Sequence, residues 1–442
     1  MATSRITAVL ATCRPFVVLA TLLTAGSFSS IALADAELTH LAANDPELPQ
    51  LAVVKNDKQK AVVSAFGEDF SSMTITENVI GSGAPLTCSG GVPTNTVTFS
   101  PSSISNKWGF HSSGSTYPIS WSGTTSTQAW AIGNNQMYFH GAVGAYDQGH
   151  AILSSDTLDR SKYIIASADI RAYCSNSSSG CYAGIALINQ ESNYRGLYLT
   201  TAANSTVNVG RLGPCNEQST GQSFGANTWQ TLTVEYRGPE GGQWSYYING
   251  QRVNDTSAVN PSGLANFVVS GIESSNTGNT DLALTSDPRI GLYTNSNVSG
   301  GYVEGAIANV SAITLTKVTP SGATASSNSA AAGDAIDNNS GTAWIAASSG
   351  SQWIEIDLGA SITVRKVRLL TEQSPSGSTV HEIYLGASPA PTTLVKTFTG
   401  TTTTGQWLDE TFVTSAPAGR YLRIFTPASP SWRAWREIEI YN

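Results

Sequence analysis

Between residues 61 and 317 no long stretch carries apolar residues at helical spacing, which excludes a helical core for more than half of the chain. Short runs that alternate or are rich in β-branched residues appear instead, cut by Gly, Asn, Ser and Pro. Examples are Gln136-Met137-Tyr138-Phe139, Tyr163 to Ile170, and Thr231 to Tyr236. The sharpest local signal is Trp244-Ser245-Tyr246-Tyr247-Ile248-Asn249-Gly250-Gln251-Arg252-Val253. Asn-Gly between alternating strands demands positive φ twice and specifies a tight hairpin. Many short strands with turns between them predict a sandwich of antiparallel sheets, so the fold class is all-β. Only 12% of residues are charged, about half the usual share, which argues against a helical surface laced with Lys–Glu pairs. Ten Trp and 9% aromatics supply apolar surface that a disordered chain lacks. A net charge of −8 excludes a phosphate-backbone ligand such as nucleic acid.

The N-terminus places Arg5 and Arg14 before an apolar run from Pro15 to Ala25 and ends in Ala32-Leu33-Ala34. That order is a secretory signal peptide over residues 1–34, and the run is too short for a transmembrane segment. Its removal leaves a net charge of −10. The expected destination is outside the cytoplasm: the medium, a periplasm or the cell surface. Residues 35–60 are polar and dotted with Pro, as in a linker or propeptide. Four cysteines follow: Cys88, Cys174, Cys181 and Cys215. Their even number in an exported chain predicts disulfides. A local Cys174–Cys181 bridge would staple a Ser-rich loop, with Cys88 and Cys215 as the second pair. A zinc site would need tighter spacing and His partners, and no such grouping is seen.

The order of elements over residues 61–317 resembles the concanavalin-like lectin and glucanase superfamily. Its pieces are Gly67-Glu68-Asp69-Phe70, Ala183 to Leu187, Trp229 to Tyr236 with the Asn-Gly hairpin, Arg289 to Tyr293, and Val303 to Val310. Residues 318–442 resemble the discoidin-type (coagulation factor type C) domain, also a carbohydrate-binding module of exported bacterial enzymes. The motifs are Ala335 to Trp344, Gln352 to Gly359, Val364 to Leu369, Arg420 to Ile424, and Arg436 to Tyr441. This resemblance implies a second, eight-stranded jelly roll.

It also implies a structural calcium. Asp337, Asn339 and Thr342 match the family's loop, and Glu437 matches the acidic residue of the last strand. Asn338 stands where glycine is usual and Asn339 where a second aspartate is usual. An Asx-turn that caps itself without metal is the alternative. A sugar site pairs an aromatic face with groups that bind hydroxyls. Ser431-Trp432-Arg433-Ala434-Trp435-Arg436 has that chemistry, and Trp432, Arg433 and Trp435 are the candidate ligand contacts, although one Trp is expected to plug the barrel. Trp344 and Trp353 are read as core, and His381 and Arg423 as structural.

No Glu-x-Asp-x-x-Glu run of a retaining glycosidase is present; Glu235 is isolated and Glu304 is followed by Gly and Ala. Lyase chemistry on this fold needs Tyr or His as base and acid with Arg to bind an acidic sugar. Tyr138, His140, Arg171, Tyr194 and Arg195 are candidates by residue type, with Tyr146 and His150 nearby, yet the family's Gln-x-His motif is not recognisable. Whether the chain is an enzyme therefore stays open. The expected function is an exported protein that binds polysaccharide or glycan. A polysaccharide-degrading hydrolase or lyase with its site on residues 61–317, and a surface adhesion protein, are the alternatives.

Overall fold

Alternation in the sequence becomes antiparallel ladders in every described strand pair but one, the two-residue parallel contact of Val62–Val63 with Thr157–Leu158. The structure, a computed structural model, describes residues 62–63, 65–68, 88–89, 92–93, 102–103, 108–112, 128–133, 136–142, 149–154, 156–174, 181–190, 193–203, 206–213, 216–225, 227–253, 272–273, 283–296 and 302–442. The expected signal peptide (1–34), the linker (35–60) and Cys215 lie outside these residues. Among the described residues no helix is long and apolar enough to cross a membrane.

The first β region contains β1 (Gln128–Gly133), β2 (Gln136–Ala142), β3 (Tyr163–Cys174), β4 (Cys181–Gln190), β5 (Asn193–Ala203), β6 (Gln230–Arg237), β7 (Gln243–Ile248), β8 (Arg289–Ser296) and β9 (Tyr302–Leu315). Among the described residues a nine-stranded sheet runs Gln251–Arg252, β7, β6, β3, β9, β2, β1, with two short strands beside β7 and β9. An eight-stranded sheet holds β5, β4 and β8 side by side and faces β3, β6 and β9. Ile164, Ala166, Ala168 and Ile170 of β3 and Ile185, Leu187, Leu197, Leu199 and Leu292 of the second sheet are all fully buried. Burial of the seven Ile and Leu side chains among them, each contributing about 1.5–3 kcal/mol, is what fixes the strand register.

The Asn-Gly hairpin forms as the sequence requires. Asn249 and Gly250 have φ of 50° and 79°, and Ile248 pairs with Gln251. Asn249 Oδ1 accepts a hydrogen bond from the Thr231 N–H at 2.9 Å, tying the turn to β6. A Cβ on Gly250 would sit 2.8 Å from Thr414 Cγ2, so the turn packs directly on the C-terminal part of the chain.

That C-terminal part contains β10 (Gln352–Thr363), β11 (Lys366–Thr371), β12 (Gly377–Gly386), β13 (Thr393–Thr402), β14 (Trp407–Thr411), β15 (Ala418–Ala428) and β16 (Ala434–Tyr441). One sheet is Gly322–Ala325, β10, β15, β12, β13; the other is Trp344–Ile345, β16, β11, β14. The strand count is nine rather than eight because the two-residue Trp344–Ile345 segment pairs with β16. Between the sheets lie Trp344, Ile354, Ile356, Val367, Leu369, Ile383, Leu422, Ile424, Trp435, Ile438 and Ile440. Trp344 is core as expected, whereas Trp353 is half-buried beneath Arg423, whose guanidinium lies 4.1 Å from its ring.

The outer face of β11, β14 and β16 packs on the nine-stranded sheet through a buried charged seam. Lys366, fully buried, donates to Glu235 Oε1 (2.8 Å), Thr411 Oγ1 (2.9 Å) and Asp409 Oδ2 (3.0 Å), which uses all three ammonium hydrogens. Arg237 bridges Glu235 (3.2 Å), Asp409 (3.0 Å) and Glu240 (2.7 Å), and Tyr247 donates to Glu235 at 2.8 Å. Arg368 joins Glu439 (2.8 Å) to Glu240 (3.3 Å). Burial alone would neutralise Glu235 and Asp409, but the facing Lys366, Arg237 and Arg252 hold both well below the usual carboxylate range. Tyr163, Ile165, Leu315 and Tyr441 form a small apolar cluster beside the ions.

Candidate functional site

The Ser431–Arg436 segment enters β16 through a β-bulge. Leu370 pairs with Glu437 and Thr371 with Trp435, so β16 carries one extra residue between them. Ile438 and Ile440 face the core, and without the bulge Trp432 and Ala434 would share that side. The insertion flips the phase. Trp435 turns inward and is 1% exposed, while Trp432 is 56% exposed.

This corrects two of the three expected ligand contacts. Trp435 is a core side chain whose ring lies 4.7 Å from His381, so no face is free to stack on a ligand. Arg433 is buried and spends its donors on backbone carbonyls: Thr426 (3.3 Å), Ser431 (3.1 Å), Pro427 (3.3 Å) and Ser349. It clips the loops together. His381 is structural as expected. Its Nδ1 lies 2.9 Å from Thr426 Oγ1, and burial, with the Arg433 charge adding, pushes its pKa down to about 4. Arg423 pairs with Glu355 at 2.8 Å.

Trp432 lines an open cleft of about 450 Å³ together with Ile345, Ser349, Glu372, Ser374 and Pro430, within the usual range for ligand clefts. Ile345, 42% exposed, adds a second apolar surface. Glu372 follows the end of β11 and its Oε2 accepts from Arg436 Nε. Glu372 and Ile345 were not nominated from sequence, because each belongs to the site only through the pairing of its strand with β16. The site thus offers one exposed indole, an apolar neighbour, serine hydroxyls and a half-exposed carboxylate.

The expected calcium loop is ordered around Asp337. Its Oδ1 accepts from the Asn339 N–H (2.9 Å) and its Oδ2 from Thr342 Oγ1 (2.8 Å). Asn338 occupies the left-handed region with φ 62°, which asparagine tolerates better than most residues. Glu437 is 4% exposed and neither carboxylate oxygen makes a well-formed hydrogen bond, with the Asn338 backbone N–H as a nearby donor. Burial pushes its pKa up to about 7; Lys317 opposes this, and the Glu439 and Asp337 charges add to it. A buried carboxylate that feels the Asp337 charge, together with carboxylate, amide and hydroxyl oxygens in one loop, is the donor chemistry a hard cation takes. The Asn339 N–H to Asp337 and Gly341 N–H to Asn339 bonds also close the loop as Asx-turns without a metal. Among the described residues no group of three or more His, Cys, Asp or Glu could hold a metal, so such an ion would rest on two carboxylates plus hydroxyl, amide or carbonyl oxygens.

The candidate catalytic residues fall in two sheets. Register places Tyr138 opposite Ala306 and Ala306 opposite Arg171, with His140 opposite Glu304. Tyr138 and His140 of β2 therefore stand at register positions in row with Arg171 of β3 or two residues from it, and the side chains of Tyr138 and His140 lie outside the described residues. Arg171 is buried, its guanidinium 5.1 Å from the Trp229 ring and 3.2 Å from Asn227 Oδ1. Tyr194 and Arg195 lie on β5 in the other sheet and do not join them. Glu235, the isolated carboxylate of β6, belongs to the charged seam. Cys174 ends β3 and Cys181 begins β4, but the side chains of these and of Cys88 lie outside the described residues. Tyr146 and the His150 side chain do too.

Residues 319–439 match the F5/8 type C domain. No curated protein matches the chain. Among solved structures, the chain is similar to the CBM32 of AlyQ in complex with 4,5-unsaturated mannuronic acid, with 29% identity over 28% of this chain and 97% of that one and a TM-score of 0.25. It is similar also to chitosan-binding module 1 from a chitosanase/glucanase of Paenibacillus sp. IK-5, with 30% identity over 29% and 99% and a TM-score of 0.25. A third is the family 32 CBM of C. perfringens NanJ in complex with galactose, with 22% identity over 29% and 99% and a TM-score of 0.26.

Proposed function

Residues 319–439 being an F5/8 type C domain, we propose that this is an exported protein that binds polysaccharide or glycan in the Trp432 cleft. The observation that carries the reading is the exposed indole beside serine hydroxyls and a carboxylate, the pairing that sugar C–H faces and hydroxyls require. Export rests on the signal-peptide order of residues 1–34, and the cysteine bridges follow from it. The parts are a concanavalin-like sandwich over 61–317 and the sugar module over 318–442. A calcium held by Asp337 and Glu437, with Asn339 and Thr342 in the same loop, would neutralise the buried Glu437 and fix the loop. Its chemistry there is structural.

The test is retention of the full mature chain on a panel of immobilised polysaccharides. Trp432→Ala should weaken binding roughly 30-fold, as loss of a central aromatic anchor does, while stability moves by no more than about 0.5 kcal/mol. Retention of the variant at wild-type strength would overturn the site. For the metal, a chelator should lower Tm in the wild type and leave Asp337→Asn unmoved, because a ligand of the native state stabilises by mass action.

A second reading, a polysaccharide-degrading hydrolase or lyase, is favoured by one observation: strand register brings the backbone positions of Tyr138 and His140 beside that of Arg171. New reducing ends, or absorbance of an unsaturated product, on incubation with the same polysaccharides would establish it. Binding without product on every polymer would remove it.

A further inference from the structure

We infer that the Trp432 cleft selects amine-bearing and neutral sugars against uronates, and that Glu372 sets this selection. The inference rests on the reading of the cleft as a sugar site. Its wall contains one charged group, the Glu372 carboxylate. One oxygen, Oε2, is engaged by Arg436, and Oε1 has no protein partner among the described residues. At 26% side-chain exposure the carboxylate is half withdrawn from water, so its field inside the cleft is stronger than that of a fully solvated group.

A uronate is recognised by a free guanidinium or ammonium. The two arginines of the Ser431–Arg436 run do not supply one inside the cleft. Arg433 faces inward with its donors on carbonyls, and Arg436, at the bulge, holds Glu372 and is not part of the cleft wall. A carboxylated sugar stacked on Trp432 would meet a like charge. A sugar ammonium or a pair of hydroxyls would give Oε1 the donors it lacks, and the ammonium would do so with charge assistance.

The experiment titrates the full chain, at low ionic strength, with three trisaccharides: a glucosamine, a neutral hexose and a mannuronate oligomer. Affinity should fall in that order, with the mannuronate about tenfold or more below the glucosamine, and 0.5 M salt should compress the spread. Glu372→Gln keeps the shape, frees Arg436, and should reverse the order of the charged ligands. Arg436→Gln should widen it. Uronate binding that equals or exceeds glucosamine binding in the wild type, or an unchanged ratio in Glu372→Gln, overturns the selection while Trp432→Ala still reports a sugar site. Absence of binding to all three, unaffected by Trp432→Ala, overturns the sugar site itself and the selection with it.

Discussion

Strands β11 and β16 run side by side from one kind of electrostatics to another. At one end Lys366 pairs with Tyr441, and at the other Thr371 pairs with Trp435, five residues or about 17 Å away. At the Lys366 end carboxylates and cations are sealed against a second sheet, and the Lys366 ammonium is fully coordinated by protein oxygens. At the Trp435 end the Glu372–Arg436 pair is half-exposed and keeps an oxygen open to the cleft. The residue types are the same. Coverage by the nine-stranded sheet decides whether a charge is spent on the fold or kept for a ligand.

The two ends differ most at Lys366. Lys366→Met leaves Glu235 and Asp409 to Arg237 and Arg252 with one cation fewer, and removing one partner of a buried ion pair costs about 3–5 kcal/mol. Denaturant unfolding of the full chain should show that loss, while the folded fraction keeps its sugar affinity because the cleft lies at the other end. A loss below 1 kcal/mol would mean that water reaches the seam and that the two ends are alike.

A somewhat smaller effect is expected from His381, which lies at the cleft end but inside the core. The unfolded chain binds a proton near pH 6.5, whereas the folded one takes it only near 4, because burial and Arg433 disfavour the imidazolium. The unfolded state therefore holds more protons in that window, and stability is full above about pH 6.5 and falls as pH drops toward 4. The His381 contribution is roughly 3 kcal/mol, and His381→Gln should remove that slope from Tm measured between pH 7 and pH 4. A slope that survives in the variant would assign it to other groups.

Much of the fold is legible in sequence because it depends on local rules. Alternation gives the strands, and Asn249-Gly250 gives a turn whose positive φ values follow from the residue pair. The C-terminal domain is legible from separated motifs that the family match covers. The seam is not, since Glu235 and Lys366 are 131 residues apart and the charges that alternate with apolar residues in their strands, Glu235 with Arg237 and Lys366 with Arg368, look like an ordinary solvated face. Only the covering sheet turns that face into an interior one, where each charge needs a partner. In the site, the run Ser431–Arg436 marks the right place, but the bulge decides which side chains face outward. Counting alternation back from Ile440 and Ile438 puts Trp432 on the core side and Trp435 outside, the reverse of what the structure shows. One inserted residue inverts every assignment upstream of it.

A surface pair of the same two groups separates burial from chemistry. Lys396–Glu410 joins the same two charged groups as Lys366–Glu235, with side chains 33% and 27% exposed rather than fully buried. In water the ammonium and carboxylate exchange each other for solvent at little net gain, and holding two long side chains in one geometry costs entropy. A double-mutant cycle on Lys396 and Glu410 should therefore give a coupling of about 0–1 kcal/mol that fades with salt. The same cycle on Lys366 and Glu235 should give a coupling several times larger and nearly insensitive to salt, since no counter-ion reaches it. Equal couplings in the two cycles would show that burial under the nine-stranded sheet adds nothing to the pair, and the distinction between the two ends of β11 and β16 would then rest on shape alone.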